Sequence, residues 1–174
     1  RPILEHIRRG IINLNKPTGP TSHMVSDYVQ RILGLEKAGH GGTLDPGVTG
    51  VLAIALQDAT KVVQALLPAG KEYICVMHLH TDVLVPDIMR AFSLFVGKIV
   101  QTPPLRSAVK RVEREREIYY LELLEINGRD VLFRVGCQAG TYIRTLCIQM
   151  GAAMKSSAHM AELVRTKSGP FTDA

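Results

Sequence analysis

Two stretches of this sequence set polar side chains where they could do chemistry. The first is Gly39-His40-Gly41-Gly42-Thr43-Leu44-Asp45-Pro46-Gly47. Its glycines let another backbone or a ligand approach closely. Asp45 precedes a proline, which restricts it to extended conformations and aims its carboxylate in a fixed direction. This is not a phosphate-binding P-loop, because no Gly-Lys-Ser/Thr follows at the required spacing, and Gly70-Lys71 is followed by Glu72. Spacing alone favours the plainer alternative, a tight structural loop with a capping Asp. The second stretch is Gly140-Thr141-Tyr142-Ile143-Arg144-Thr145-Leu146. Flanked by Ile143 and Leu146, the Arg144 guanidinium sits at the edge of apolar packing, where it could pair bidentately with a carboxylate. A solvated helix charge is the equal alternative.

Other polar residues read more plainly. His78 and His80 alternate on one strand face, but the sequence shows no third ligand, which argues against a metal site. His23 and His159 read as ordinary polar contacts. Arg106, Lys110, Arg111, Arg114 and Arg116 form a basic cluster diluted by Glu113, Glu115 and Glu117, either a solvated hairpin face or a phosphate-contacting one. Cys75, Cys137 and Cys147 are an odd set without a C-x-x-C pair. That points to buried thiols in a reducing compartment, not to a disulfide framework or a zinc site.

These stretches need elements to position them. Ile11 to Leu14 reads as a short strand, ended by Lys16-Pro17-Thr18-Gly19-Pro20. Ser22 caps an expected helix with Val25, Tyr28, Val29, Ile32 and Leu33 on one face, and Gly34 ends it. The glycine-rich loop is too rich in glycine for a regular element. Val51 to Leu56 is a buried-strand run, and Asp58 or Thr60 starts a short helix carrying Val62, Val63, Leu66 and Leu67. From Lys71 to His80, alternation puts Tyr73, Cys75, Met77 and Leu79 on one strand face. Ile88, Ala91, Phe92 and Phe95 have helical spacing before Gly97. Ile118 to Ile126 and Val131 to Cys137 flank Asn127-Gly128, a hairpin signal. Thr141 to Met150 reads as a helix. The expected fold is α+β, a mixed, largely antiparallel sheet flanked by helices, without internal repeat or linker.

With 174 residues, the expectation is one domain over residues 1–174. Hydrophobic residues at 46% and charged residues at 21% indicate a folded chain. No apolar stretch approaches the ~20 residues of a membrane-spanning helix, and no signal peptide is visible, so no membrane partner is expected. A net charge of +5 and a pI of 9.3 lean toward a polyanionic partner. The chain opens at Arg1 without a methionine, which suggests a piece of a longer one.

Four motifs in one order, Lys-Pro-x-Gly-x-Thr-Ser from Lys16, Gly-His-Gly-Gly-Thr-Leu-Asp-Pro from Gly39, Lys-x-Tyr from Lys71 and Gly-Thr-Tyr-Ile-Arg from Gly140, resemble the TruB/Cbf5 family of RNA pseudouridine synthases. The similarity runs from about Gly10 to Phe171. Gly41-Gly42 and Val48-Thr49-Gly50-Val51-Leu52 look more like the archaeal and eukaryotic Cbf5 (dyskerin) branch than like bacterial TruB. The resemblance implies the pseudouridine synthase catalytic fold, with Asp45 as catalytic aspartate, Arg144 as the arginine pairing with it, and Tyr73 stacking on the target base. It implies His40 beside the flipped nucleotide, Leu163 as an apolar wall of the pocket, and Lys16 and Pro17 as support for the catalytic loop. The implied reaction breaks the C1′–N1 bond of uridine, turns the uracil and rejoins it through C5. Nothing is oxidised or consumed, so no cofactor or metal is called for. One carboxylate suffices because no water is activated, and the base must be flipped out of folded RNA.

The resemblance further implies guide RNA, rRNA and tRNA as nucleic-acid partners, and Nop10, Gar1 and L7Ae as protein partners in a box H/ACA particle. Guide-free action on the tRNA T-loop is the TruB-like alternative. Location would be cytoplasmic for an archaeal protein and nuclear or nucleolar for a eukaryotic one. Val164 stands where the family often has a second arginine, which puts one RNA contact in doubt. Met154-Lys155-Ser156-Ser157 replaces a common glycine-containing turn, and the connection from His80 to Pro86 looks short. The C-terminal PUA domain of this branch is not expected in this chain. Two other classes compete: a base-releasing glycosylase, for which the motif loops show no second carboxylate, and a non-catalytic ribonucleoprotein scaffold.

Overall fold

The helices and strands of this chain follow its apolar spacing, with a few instructive exceptions. A computed structural model describes residues 2–103 and 112–173. The chain divides into two compact units, Arg1–Lys71 with Val164–Ala174, and Glu72–Leu163.

The first unit is built around β3 (Thr49–Leu56). Val51 to Leu56 are all buried, the continuous apolar run of a strand covered on both faces. One edge of β3 carries antiparallel β1 (Ile11–Lys16) in the register Ile11↔Ala55 to Lys16↔Gly50. Its other edge carries β2 (Ala38–His40), antiparallel, and then the end of β8 (Ala158–Ser168), parallel at Thr49↔Val164 and Gly50↔Arg165. The short β9 (Phe171–Thr172) pairs with β8. So β2 extends regular pairing into the start of the glycine-rich stretch expected to be irregular. Its residues find ladder partners in β3, and the loop proper begins at Gly41.

Helix α1 (Ile3–Arg9) was not anticipated; none of its own residues is buried, although Ile7 packs on the core. Helix α2 (Ser22–Ile32) is capped one residue earlier than expected, because Thr21, not Ser22, accepts from the Met24 N–H at 3.1 Å. Its buried face is Ser22, Val25, Ser26 and Val29; Tyr28 and Ile32 point outward, 59% and 64% exposed. Val25 and Val29 pack on Leu52, Ile54 and Leu56 of β3. Truncating Leu52 or Ile54, both fully buried, would cost about 2–5 kcal/mol. A 3-10 turn over Gln57–Val62 and the short α3 (Val63–Leu66) follow.

In the second unit the strand order is β8-β4-β7-β6-β5. β4 (Lys71–Leu79) alternates fully, with Tyr73, Cys75, Met77 and Leu79 buried. β6 (Arg114–Asn127) and β7 (Asp130–Cys137) form the expected hairpin, Asn127 opposite Asp130, with Gly128 at φ +58. Register shifts at Ile118/Tyr120 and Leu123/Glu125 break the alternation of β6. β5 (Gly97–Gln101) and β8 were not anticipated. Helices α4 (Val85–Phe95) and α5 (Ile143–Ala153) bury Ile88, Ala91 and Phe92, and Ile143, Leu146, Cys147 and Met150. Phe92 meets Phe133 edge-on at 5.5 Å. The architecture is α+β, with a parallel β3–β8 pair beside antiparallel ladders.

The three cysteines are buried, and the Sγ atoms of Cys75 and Cys147 lie 3.7 Å apart. The turn at Met154–Ser157 keeps a left-handed residue, Lys155 at φ +56, without a glycine. Among the described residues, no helix is long and apolar enough to cross a membrane.

The close approach of β3 to β8 requires Gly50, which sits at φ +111 with an added Cβ only 2.1 Å from the Arg165 carbonyl oxygen. Gly50→Ala is expected to cost about 3 kcal/mol or more, a fall in melting temperature of roughly 6–12 °C. Thermal unfolding followed by circular dichroism measures it; an unchanged Tm would mean that the two strands part without penalty.

Candidate functional site

In the first unit, the loop from Gly41 to Val48 joins β2 to β3 and carries Asp45, whose side chain is exposed. Five successive carbonyls of this loop are all occupied. Those of Gly42 and Thr43 accept from the Arg165 guanidinium at 3.0 and 3.4 Å, and Arg165 also donates to Val51 at 2.8 Å. The Leu44 carbonyl accepts from Ser22 Oγ at 3.1 Å, and Ser22 Oγ in turn accepts from the Leu44 N–H at 2.8 Å. The Asp45 carbonyl accepts from the Val48 N–H at 3.0 Å. That of Pro46 accepts from the Gly19 N–H at 2.9 Å and from Lys16 Nζ at 3.3 Å.

Both cations in this set are buried, Arg165 at 1% exposure and Lys16 at 0%. Lys16 Nζ also donates to the carbonyls of Pro17 and Pro20, at 2.8 and 2.9 Å. It therefore ties the Lys-Pro motif to the residue after Asp45. Burial lowers the Lys16 pKa, and the Asp45 charge works the other way. Gly42, at φ +143, lies against Arg165 and Lys71; a Cβ there would stand 3.5 Å from both. Lys71, buried itself, donates to the carbonyls of Leu66, Leu67 and Ala69 around the end of α3.

His40 ends β2, half-buried, with its ring edge-on to His23 at 6.1 Å. Its Nδ1 is buried without a hydrogen-bond partner. Burial first, then the neighbouring His23 and Arg165, hold its pKa below 6.5. Pro17 is exposed beside Lys16.

The second unit carries Tyr73, Arg144 and Leu163. Tyr73 is buried near the start of β4; the preceding Glu72 accepts from the Tyr120 hydroxyl at 2.5 Å. Tyr120 reaches it by lying flat on Gly136, where a Cβ would come within 2.3 Å of the ring. Burial and the Glu72 bond push the Tyr120 pKa up to about 12. Arg144 is exposed in the first turn of α5. The backbone just before it is held by buried Gln101 of β5, which accepts from the Tyr142 N–H at 3.0 Å and donates to the Tyr142 carbonyl at 3.1 Å. Gly140, at φ +81, lies under the Arg116 guanidinium. Leu163 is half-buried in β8. Of the basic cluster, Arg106, Lys110 and Arg111 lie outside the described residues; Arg114 is exposed, and Arg116 donates to the Glu115 carbonyl.

The loop-holding roles of Arg165, Ser22 and Gln101 were missed from sequence. Ser22 was noticed as a helix cap, and attention to Val164 passed over its neighbour Arg165. No local signal marks Arg165, because its acceptors lie 114 to 123 residues earlier in the chain.

This fold is that of pseudouridylate synthases: a solved structure titled "Crystal structure of pseudouridylate synthase" matches 94% of this chain and 65% of its own at a TM-score of 0.54, with 19% identity. The chain belongs to the TruB family of pseudouridylate synthases, whose N-terminal domain model matches residues 30–88 and 84–143. Models described as the DKCLD (NUC011) domain and the tRNA pseudouridylate synthase B C-terminal domain match residues 1–26 and 144–174. A Methanopyrus kandleri protein named "Probable tRNA pseudouridine synthase B" is 63% identical over 99% of this chain and 51% of its own length. The structure titled "Crystal Structure of a Cbf5-Nop10-Gar1 Complex" is 62% identical, with a TM-score of 0.97, over all of this chain and 53% of that one. A third, "Structure of H/ACA RNP bound to a substrate RNA containing 2'-deoxyuridine", is 57% identical at a TM-score of 0.91, over 100% of this chain and 52% of that one. The chain thus spans about half the length of the relatives it matches.

Two measurements probe the loop. Arg165→Met removes the guanidinium from three carbonyls and should cost at least about 3 kcal/mol. It should also speed hydrogen exchange at the Leu44 amide, with Arg165→Lys partly restoring protection; unchanged Tm and exchange would show that the loop holds itself. Separately, the lowered His40 pKa means that the unfolded chain takes up a proton first as pH falls below 6.5. Stability contributed by neutral His40 is therefore complete above that pH and is lost on acidification toward the folded pKa. Urea unfolding across this range should show a smaller acid loss in His40→Gln than in the wild type.

Proposed function

We propose that this chain carries the catalytic part of an RNA pseudouridine synthase, isomerising uridine with Asp45 as the reacting carboxylate. What carries the reading is the exposed Asp45 carboxylate on a loop whose five carbonyls are all bound, in a chain of this family. A carboxylate held so firmly can attack C1′, or serve as base, as positive character develops on the ribose. The C1′–N1 bond breaks, the uracil turns and bonds through C5, the C5 proton is lost and N1 gains one. His40, half-buried at the end of β2, offers a polar ring to the flipped nucleotide. Tyr73 and Arg144 keep the roles that the resemblance implies, stacking on the base and supplying a cation for the carboxylate. Leu163 provides apolar wall, and Lys16 and Pro17 support the loop.

The substrate reading is guided rRNA within a box H/ACA particle containing Nop10 and Gar1, supported by the titles of the similar complexes. The printed name of the curated relatives supports tRNA as a second substrate.

Asp45→Asn keeps the size of the side chain and removes its charge. The variant should bind RNA nearly as the wild type does and form no pseudouridine on a guide–target duplex or a tRNA T-loop. Nucleoside analysis of the product decides: retention of more than a few per cent of wild-type turnover would overturn the assignment of Asp45. Free uracil with an abasic site would mark a glycosylase, and unmodified RNA from the wild type in the assembled particle would leave a scaffold.

A further inference from the structure

His78 and His80 leave one face of the second unit's sheet near the end of β4, and the fold brings two further groups to them. His159 comes from β8 and Asp130 from β7, the two strands that flank β4. The ring centroids of His80 and His159 are 5.0 Å apart, those of His78 and His159 5.3 Å, and those of His78 and His80 6.1 Å. Two imidazoles bound at 2.0–2.1 Å on a tetrahedral ion have centroids about 5 Å apart, so this spacing already suits one.

Two hydrogen bonds define the chemistry of the cluster. His78 Nδ1 lies 2.6 Å from Asp130 Oδ1, which turns the Nε2 of His78 away from the carboxylate and leaves it available to a ligand. A histidine that gives one nitrogen to a carboxylate and the other to an ion is the usual way such ligands are oriented and made more basic. His80 Nε2 and His159 Nδ1 face each other at 2.8 Å, a pair that one proton must bridge. Among the described residues, no set of His, Cys, Asp and Glu converges as it stands on a single ion. At this cluster His80 Nε2 and His159 Nδ1 are aimed at each other instead of at a common point.

We propose that His78, His80 and His159 form a surface site for a divalent transition ion of the zinc class, with Asp130 orienting His78. On binding, the proton between His80 and His159 moves to the outer nitrogen of the ring that donated it, and both facing nitrogens open toward the metal. His80 and His159 are exposed, so their rings turn without repacking any core. The nearest guanidinium, Arg129, donates to the His80 carbonyl at 3.2 Å but is anchored on Asp82 at 2.7 Å, which offsets its charge. Imidazole ligands select zinc, copper and nickel over magnesium or calcium. Three imidazoles leave a fourth position to water, and the ion ties β8 to the end of β4. This site is independent of the proposed catalytic reading.

Titration calorimetry of the untagged chain with zinc chloride at neutral pH tests it. One ion should bind per chain and raise the melting temperature of the chain. Binding should weaken on acidification, because ligating imidazoles must be neutral. His80→Ala and His159→Ala should each weaken binding by at least roughly tenfold, and Asp130→Asn by about 10–100-fold. His6→Ala and His23→Ala should leave it unchanged. His159→Gln keeps a polar group on this exposed face and separates lost ligation from misfolding, since its metal-free Tm should match the wild type. The proposal is overturned if the wild type binds no zinc, or if His80→Ala and His159→Gln bind it as well as the wild type does.

Discussion

Backbone carbonyls in a partly buried loop need donors, and between Gly42 and Pro46 five of them follow one another with no strand or helix to satisfy them. The fold meets this with two buried cations, a serine and two backbone N–H groups, those of Val48 and Gly19. A neutral donor contributes one or two hydrogen bonds, whereas Arg165 spreads its bonds over Gly42, Thr43 and Val51, and Lys16 over Pro17, Pro20 and Pro46. Hydrogen bonds to charged groups are worth roughly 1.5–3 kcal/mol each, and they offset part of the desolvation that burial imposes; at Lys16 the balance still lowers the pKa. Two glycines follow from the same requirement. Gly42 and Gly50 are the places where a Cβ would stand against Arg165. The loop is fixed not by its own conformation but by side chains from β1, α2 and β8 that reach its carbonyls.

The two units hold their motif segments by the same device. Ser22 both donates to and accepts from the backbone of Leu44, the residue before Asp45. Gln101 does the same for Tyr142, two residues before Arg144. In each case one buried side chain takes the place of a neighbouring strand, satisfying an N–H and a C=O that irregular backbone would otherwise leave open. The precision demanded of a reacting group, a fraction of an ångström, is more than a loop secured only by its ends supplies. These brackets give irregular segments the positional definition of a ladder while leaving Asp45 and Arg144 on the surface side.

How much of this could be read in advance follows the reach of each signal. The alternation of β4 and the Asn127-Gly128 hairpin are local patterns, and they lie where spacing puts them. Motif order marked the loop and its aspartate, and the family membership agrees with it. The strand β8 stayed hidden because Arg165 sits at a buried position that alternation would fill with an apolar residue, and exposed residues dominate the rest. Thr21 took the cap expected of Ser22 because the Ser22 hydroxyl was already committed to Leu44. The bulges in β6 turned Tyr120 toward Glu72, which no period-2 count anticipates. The third histidine beside His78 and His80 arrives from a strand 79 residues beyond His80, so only the sheet order reveals it. Contacts carried by distant backbone leave no local trace.

Arg165, which holds the loop, also bears on what kind of group His40 is. Arg165 stays charged at any physiological pH, and it, His23 and burial all oppose a proton on the His40 ring. A neutral imidazole keeps one donor and one acceptor, whereas an imidazolium has two donors and no acceptor. The polar edge of uracil alternates carbonyl oxygens with an N–H, and a neutral ring can answer either kind of group according to its tautomer. An imidazolium would instead be drawn to the nearest phosphate, which every nucleotide carries. Under the proposed function, a ring held neutral would favour contact with a base over contact with the backbone, and that preference originates first in the burial of His40 and then in its neighbours His23 and Arg165.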